Sequence, residues 1–225
     1  MRVWHRLDDR FNQPRACVYF NVSLPHIPEG AFGMMLTQLF VAMVEDCVNE
    51  SVYYPAHLAG MEVDVGASAS YSGFVFSVEG LSDKLGEVAL SYFKTMTSLK
   101  IDAGRFEKRK EERLRDVRNL CLKPERHAKR SLEVLLKQRD ASQEEKAKAL
   151  QVMTAEDLQA FADGIWQHAH VESLMMGNLD SSEARVLGER IREYLPGGAI
   201  PDGAWPETRM AVSYTHLTLP TMIGV

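Results

Sequence analysis

The chain has 225 residues, enough for one large domain or two small ones built around a real core. Its 45% hydrophobic and 25% charged content is ordinary for a globular protein, which excludes a low-complexity or disordered chain. A formal net charge of -5 argues against a dedicated nucleic-acid binder while leaving a local basic patch open.

Val3 to Asp9 and Arg15 to Leu24 read as strands around a turn at Asn12-Gln13-Pro14. In the second, Ala16, Val18, Phe20 and Val22 alternate with Cys17, Tyr19, Asn21 and Ser23. Both sets carry apolar bulk, as expected of a sheet covered on two sides. After the turn-rich Pro25 to Gly30 comes the organising stretch, Ala31 to Gly60. Phe32, Met35, Leu36, Leu39, Phe40, Met43, Val44, Cys47 and Val48 follow helical spacing, and Met34, Val41 and Ala42 widen the stripe. This predicts a central helix covered on more than one side, with Gly60 as a stop. The apolar run Ala31 to Val44 is interrupted by Thr37 and Gln38 and closed by Glu45-Asp46, too short and too polar to be read as a membrane span.

A hairpin follows. Met61, Val63, Val65, Ala67 and Ala69 alternate with polar or small residues, Tyr71-Ser72-Gly73 can turn, and Phe74, Phe76 and Val78 mark the return strand. Ser82 is placed to cap a helix with the stripe Leu85, Val88, Ala89, Tyr92, Phe93 and Met96, and Asp102 to cap the next, Ala103 to about Leu122. Pro124 interrupts, and a helix resumes from Glu125 to Arg139. Ser142 with Glu145 and Thr154 with Asp157 have capping-box spacing and open two more helices. His170 to Leu179 reads as a strand, Asp180 with Glu183 starts a helix through Leu195, and Pro196 to Pro206 is loop. Runs of like elements predict an α+β fold, an antiparallel sheet packed against a long central helix with further helices.

Chemistry is scarce. The chain has no G-x-G-x-x-G, P-loop, C-x-x-C, G-x-S-x-G, H-E-x-x-H or H-x-x-E-H. His168 and His170 are accompanied at ligand spacing by Glu172 alone, short of the three or four groups a zinc site needs. His57 lies near a helix terminus, His127 in a basic helix, and Glu45, Asp46 and Glu50 at the polar end of the central helix. Cys17, Cys47 and Cys121 are far apart and odd in number, which predicts reduced, buried thiols in a cytoplasmic protein. The opening Met1 to Arg6 leads into charge rather than a secretory apolar region. One charge feature stands out: from Arg105 to Arg139 there are thirteen Lys or Arg against six Asp or Glu. That is either a solvated helix laced with ion pairs or a docking surface for acidic partners. Interleaved acids and missing stacking aromatics speak against nucleic acid.

Several stretches share one likeness. Trp4 with Asp8-Asp9-Arg10-Phe11 and Pro14-Arg15-Ala16 resembles the opening of the third domain of the insulinase, or inverzincin, family of zinc metallopeptidases. The likeness continues through Asn49-Glu50, Tyr54-x-Ala56-x-Leu58-Ala59-Gly60, Ser77-Val78-Glu79-Gly80, Arg105-Phe106-Glu107 with Lys110-Glu111, Glu172-Ser173-Leu174 and Gly177-Asn178-Leu179. It runs in order from about Arg2 to Ala211. The resemblance implies one of four homologous α+β domains forming a clamshell around a peptide-degrading chamber. Zinc and the H-x-x-E-H pair belong to the first domain, and the middle, third domain repeats the fold without the catalytic set. It therefore implies no catalytic, cofactor-binding or metal-binding residue within this chain, and zinc in the parent enzyme's first domain. The implied role is structural: chamber wall, interdomain contacts and substrate contact by the sheet. Its partners would be the other domains of the parent chain and the parent's peptide substrates, with no nucleic acid and no membrane.

Residues 1–211 are thus expected to form the noncatalytic third domain, with Met1 an internal start. The run Val212 to Thr221 is what GTC TCT TAT ACA CAT CTG ACG CTG CCG ACG encodes, a string that resembles the end of a sequencing-library adapter. Residues 212–225 are accordingly expected to be a non-native tail, and resequencing that returned ordinary genomic codons there would remove the expectation. Two other readings stay open: a stand-alone module docking acidic or polyanionic partners on helices 105–139, and a self-contained hydrolase using His57 with Glu50 or Asp46.

Overall fold

A computed structural model describes residues 1–11, 13–24, 26–49, 52, 54–68, 73–137, 140–195 and 197, and of Tyr54 and Pro55 the backbone only. The polar turn residue Asn12, Glu50, the hairpin turn 69–72 and the expected foreign tail 212–225 lie outside the described residues.

Five strands form one sheet: β1 (Arg2–Leu7), β2 (Arg15–Ser23), β3 (Glu62–Ala67), β4 (Gly73–Leu81) and β5 (His170–Gly177), in the order β1-β5-β2-β4-β3. The β3–β4 hairpin forms as its alternation predicts, pairing Val63 with Val78 and Val65 with Phe76. The sheet is mixed rather than wholly antiparallel, because β5 inserts between β1 and β2 and runs parallel to β1. The two strands that look consecutive around Asn12 to Pro14 are therefore not partners. β5 takes the interior place because Val171 and Met175 are fully buried on one side while Leu174 and Met176 add apolar bulk on the other. β1, with Arg2, His5 and Arg6 among its six residues, suits an edge.

The central helix α1 (Ala31–Val48) is buried at eleven of its eighteen positions. It is long and apolar enough to cross a membrane by length and composition, yet most of it is enclosed in the domain. One side meets the β3–β4 hairpin, and the others meet α3 (Ser82–Thr97), α4 (Ala103–Leu120), α6 (Gln143–Val152) and α7 (Ala155–Gly164). Beside α1, α3 lies on β2 and β4, and α8 (Ser181–Glu193) lies on β1. Phe20, Phe76 and Phe93 form one aromatic knot, with centroids 5.0 to 5.9 Å apart, and Phe40, Phe74 and Trp166 form a second. The short α2 (Tyr54–Leu58) ends at Gly60, whose φ of 72° is the left-handed stop expected there. α5 (Pro124–Leu136) stands apart, with no buried residue.

The capping chemistry matches its sequence signals. Ser142 with Glu145, Thr154 with Asp157 and Asp180 with Glu183 all close reciprocal boxes, and Asp102 accepts the Arg105 amide. Ser82 differs: it is the first residue of α3, and its hydroxyl accepts from the Asn178 side-chain amide at 3.0 Å, tying α3 to the end of β5.

Candidate functional site

All the helices that touch the strands lie on the face bearing Val18, Phe20, Phe76, Val78 and Met175. That leaves the opposite face of the sheet open, contrary to a β2 covered on both sides. Alternation along each strand turns Trp4, Tyr19, Leu174 and Met176 to the open face, where they are 57%, 43%, 39% and 38% exposed. Strand register makes them one patch: Trp4 lies opposite Leu174, Leu174 opposite Tyr19, and Met176 opposite Cys17. An indole, a phenol, a leucine and a methionine thus stand together at water-facing positions, an exposed apolar patch. The available signal was the apolar content of the odd-numbered β2 residues, which the chain alone presents as burial. Cys17 sits in this face half-buried, and burial first, then the nearby Glu79 charge, raises its thiol pKa, so the thiol is held in its unreactive form. Cys47 is also half-buried and Cys121 is exposed, so the expectation of three buried thiols does not hold.

The sequence-flagged polar residues do not converge. Asp46 is taken by Arg109, whose Nε donates to Oδ2 at 2.8 Å and whose Nη2 donates to Oδ1. His57 is exposed on α2, and its other named partner, Glu50, lies outside the described residues. His168 stacks edge-on against His26 with centroids 4.7 Å apart, while His170 starts β5 buried at 8% exposure, so the H-x-H pair splits. His127 is exposed on α5. Among the described residues no three His, Cys, Asp or Glu side chains gather as a metal would require, and the residues present do not fit zinc.

Several cations of the basic run from Arg105 to Arg139 are turned inward as fasteners, while Arg105, Lys108, Arg115, Arg118, Lys123, Arg126 and Lys129 stay exposed. Besides Arg109 on Asp46, Arg113 Nε donates to Gln38 Oε1 at 2.9 Å and Lys110 Nζ donates to the Met153 carbonyl at 2.8 Å. These contacts bind α4 to α1 and to the end of α6. Arg109, Arg113 and Gln38 line a recess of about 310 Å³ whose wall also includes Glu45, and burial raises the Glu45 pKa. The Arg109 hydrogen bond holds the Asp46 carboxyl below its ordinary value of 3.8. A depressed carboxylate stabilises the fold above its unfolded pKa and loses that contribution as pH falls through the folded value. Asp46→Asn is therefore expected to cost about 1 kcal/mol at pH 7, with the cost shrinking below the unfolded pKa and gone only below the lower, folded one. Urea unfolding across the acid range measures the difference.

Comparison with known proteins adds to this picture. Residues 1–149 match the family described as the middle or third domain of peptidase M16. The chain is 29% identical over 196 residues to insulin-degrading enzyme of Drosophila melanogaster, covering 87% of this chain and 20% of that protein. It is 26% identical over 196 residues to the A-factor-processing enzyme of Saccharomyces cerevisiae, covering 87% of this chain and 19% of that one. The chain thus spans about a fifth of the length of these curated relatives. Pitrilysin shares the fold with a TM-score of 0.77 at 18% identity, over 87% of this chain and 21% of that one. So does a peptidase M16 inactive domain from Pseudomonas fluorescens, with a TM-score of 0.66 at 18% identity, over 88% of this chain and 49% of that one.

Proposed function

Because this chain belongs to the M16 peptidase family as its middle or third domain, we propose that it is a noncatalytic wall of a peptide-degrading chamber in a zinc metalloendopeptidase. The zinc and the water-activating groups reside in another domain of the parent, and this one supplies shape and contact surface. The observation that carries the reading is the one-sided sheet, with helices on one face and the Trp4, Leu174, Tyr19 and Met176 patch on the other. A chamber lining must hold unfolded peptide weakly and without sequence dictation, which adjoining aromatic, aliphatic and thioether side chains on an open sheet face do. Interdomain contact falls to the helical side. α5 leaves Leu132 at 55% and Leu135 at 79% exposed, with Leu122 just before it at 76%, on a helix with no buried residue of its own. These leucines are the natural seat for the neighbouring domain of the parent.

Two measurements test the reading. The 225-residue chain is expected to show no turnover of an unstructured fluorogenic peptide, with or without added zinc, and robust turnover would end the noncatalytic assignment. It is also expected to bind such peptides weakly at the open face. Tyr19→Glu should weaken that binding about tenfold while leaving the thermal midpoint within about 2 °C, because Tyr19 is a surface position. Unchanged binding would remove the chamber-wall role.

A further inference from the structure

Strand register also fixes the order of charges on the open face. Arg6, Met176, Cys17, Glu79 and Glu62 occupy one row across the sheet, from the β1 edge to the β3 edge. In the adjacent row Trp4, Leu174 and Tyr19 lead to Ser77 and Asp64. One edge ends in a guanidinium, the other in carboxylates, and the middle is apolar. Among the described residues Arg6, Glu79, Glu62 and Asp64 make no ion pair, whereas Arg2, two rows from Arg6, is held by Glu172 at 3.3 Å. A recess of about 380 Å³ runs along this row from Arg6 to Glu79, with Cys17 and Met176 between them and Arg10 and Arg15 on its rim. Asp8 and Asp9 share that rim, and Asp8 is engaged by the Arg10 backbone amide at 3.0 Å.

We propose that this face binds an extended ampholytic peptide segment laid across the strands. An acidic side chain or C-terminal carboxylate sits over Arg6, apolar side chains lie over Met176 and Cys17, and a lysine or arginine lies over Glu79 and Glu62. Three strand spacings separate Arg6 from Glu79, about 14 Å, which is roughly four residues of extended chain. The inference rests on the chamber-wall reading, since it takes the open face as the surface that peptide meets. A uniformly basic segment would set a cation over Arg6, and a uniformly acidic one would set a carboxylate over Glu79 and Glu62, so either loses one end.

The test titrates the 225-residue chain into three end-blocked peptides with one apolar core and a neutral fluorophore, read by anisotropy. One carries Glu and Lys about four residues apart, one carries two Lys at those positions and one carries two Glu. The Glu/Lys peptide is expected to bind about fivefold more tightly than either like-charged one, with the advantage gone at about 0.5 M salt. Arg6→Glu should turn the preference to the doubly basic peptide, and Glu79→Lys combined with Glu62→Lys should turn it to the doubly acidic one. Equal affinities for all three peptides, including no binding, or a rank order unmoved in both variants, would overturn the proposal. Tyr19→Ser separates the two ideas. If it weakens every peptide while the charge variants change nothing, the face meets peptide but is not charge-ordered. If neither it nor the charge variants matter, the chamber-wall reading falls as well.

Discussion

Asp140→Ala is expected to destabilise the domain by about 3–5 kcal/mol, because it removes the buried carboxylate shared by the buried Lys146 and the part-buried Arg130, which keeps Glu133. Asp140 Oδ1 accepts from Arg130 Nη2 and from Lys146 Nζ, both at 2.8 Å, and the Asp140 and Lys146 side chains are 0% and 3% exposed. Burial already lowers the Lys146 pKa even with its partner in place. Without the carboxylate, Lys146 escapes the penalty by giving up its proton. The sign follows: the folded variant then binds fewer protons than the unfolded chain, so its deficit is largest at neutral pH and shrinks as pH rises toward the ordinary lysine value of 10.5. Lys146→Met is the informative contrast. It removes a buried charge, keeps the Arg130–Asp140 pair, and should be within about 1 kcal/mol of the parent. Urea midpoints at an unchanged slope report both variants. Asp140→Ala should also loosen α5, which Arg130 ties to Asp140, so hydrogen exchange in Pro124–Leu136 should quicken before the sheet is affected.

That ion cluster was not legible in the chain. Arg130 reads as one member of the basic run 105–139, Asp140 and Lys146 lie beyond it, and nothing in their spacing shows that the three meet. The same holds for Arg109 and Arg113, where charge density suggested a free surface and the fold spent the guanidiniums on Asp46 and Gln38. Local features fared better, since each is decided within a few residues. The apolar stripe of α1, the alternation of β2 and β4 and the boxes at Ser142, Thr154 and Asp180 all form where their patterns place them. Strand order was the main loss, because pairing β1 with β5 joins residues about 170 positions apart and depends on which strand buries more apolar surface. The open face was misread for a related reason. Periodicity reports that Tyr19 and Cys17 share a side but is silent on whether that side meets helices or water. The family likeness, resting on ordered short motifs such as Asp8-Asp9-Arg10-Phe11, reached further than any one residue's chemistry did.

Gly33→Ala is expected to be the costliest methyl group that can be added to the central helix. A Cβ built at Gly33 would lie 1.8 Å from the Pro28 carbonyl oxygen and 2.8 Å from its carbon, both backbone atoms, and 2.9 Å from Ile27 Cγ2. Flexible side chains could swing aside, but here the β2–α1 connection itself must move. The Gly33 carbonyl also accepts the buried Thr37 hydroxyl at 2.9 Å, so a shift in this turn is felt one turn further on. Alanine offers a compensating gain, about 1 kcal/mol of helix propensity over glycine. Overpacking a rigid contact costs about 3 kcal/mol, so the clash wins by about 2 kcal/mol. Gly104→Ala, where the nearest atom lies 3.4 Å away at the Asp102 carboxylate, is the control in which propensity should prevail and the domain should gain slightly. A Gly33→Ala protein as stable as its parent would mean that Ala31–Val48 is not pinned against Pro28. In that case the close seating of the central helix, on which the one-sided sheet depends, would have to be given up.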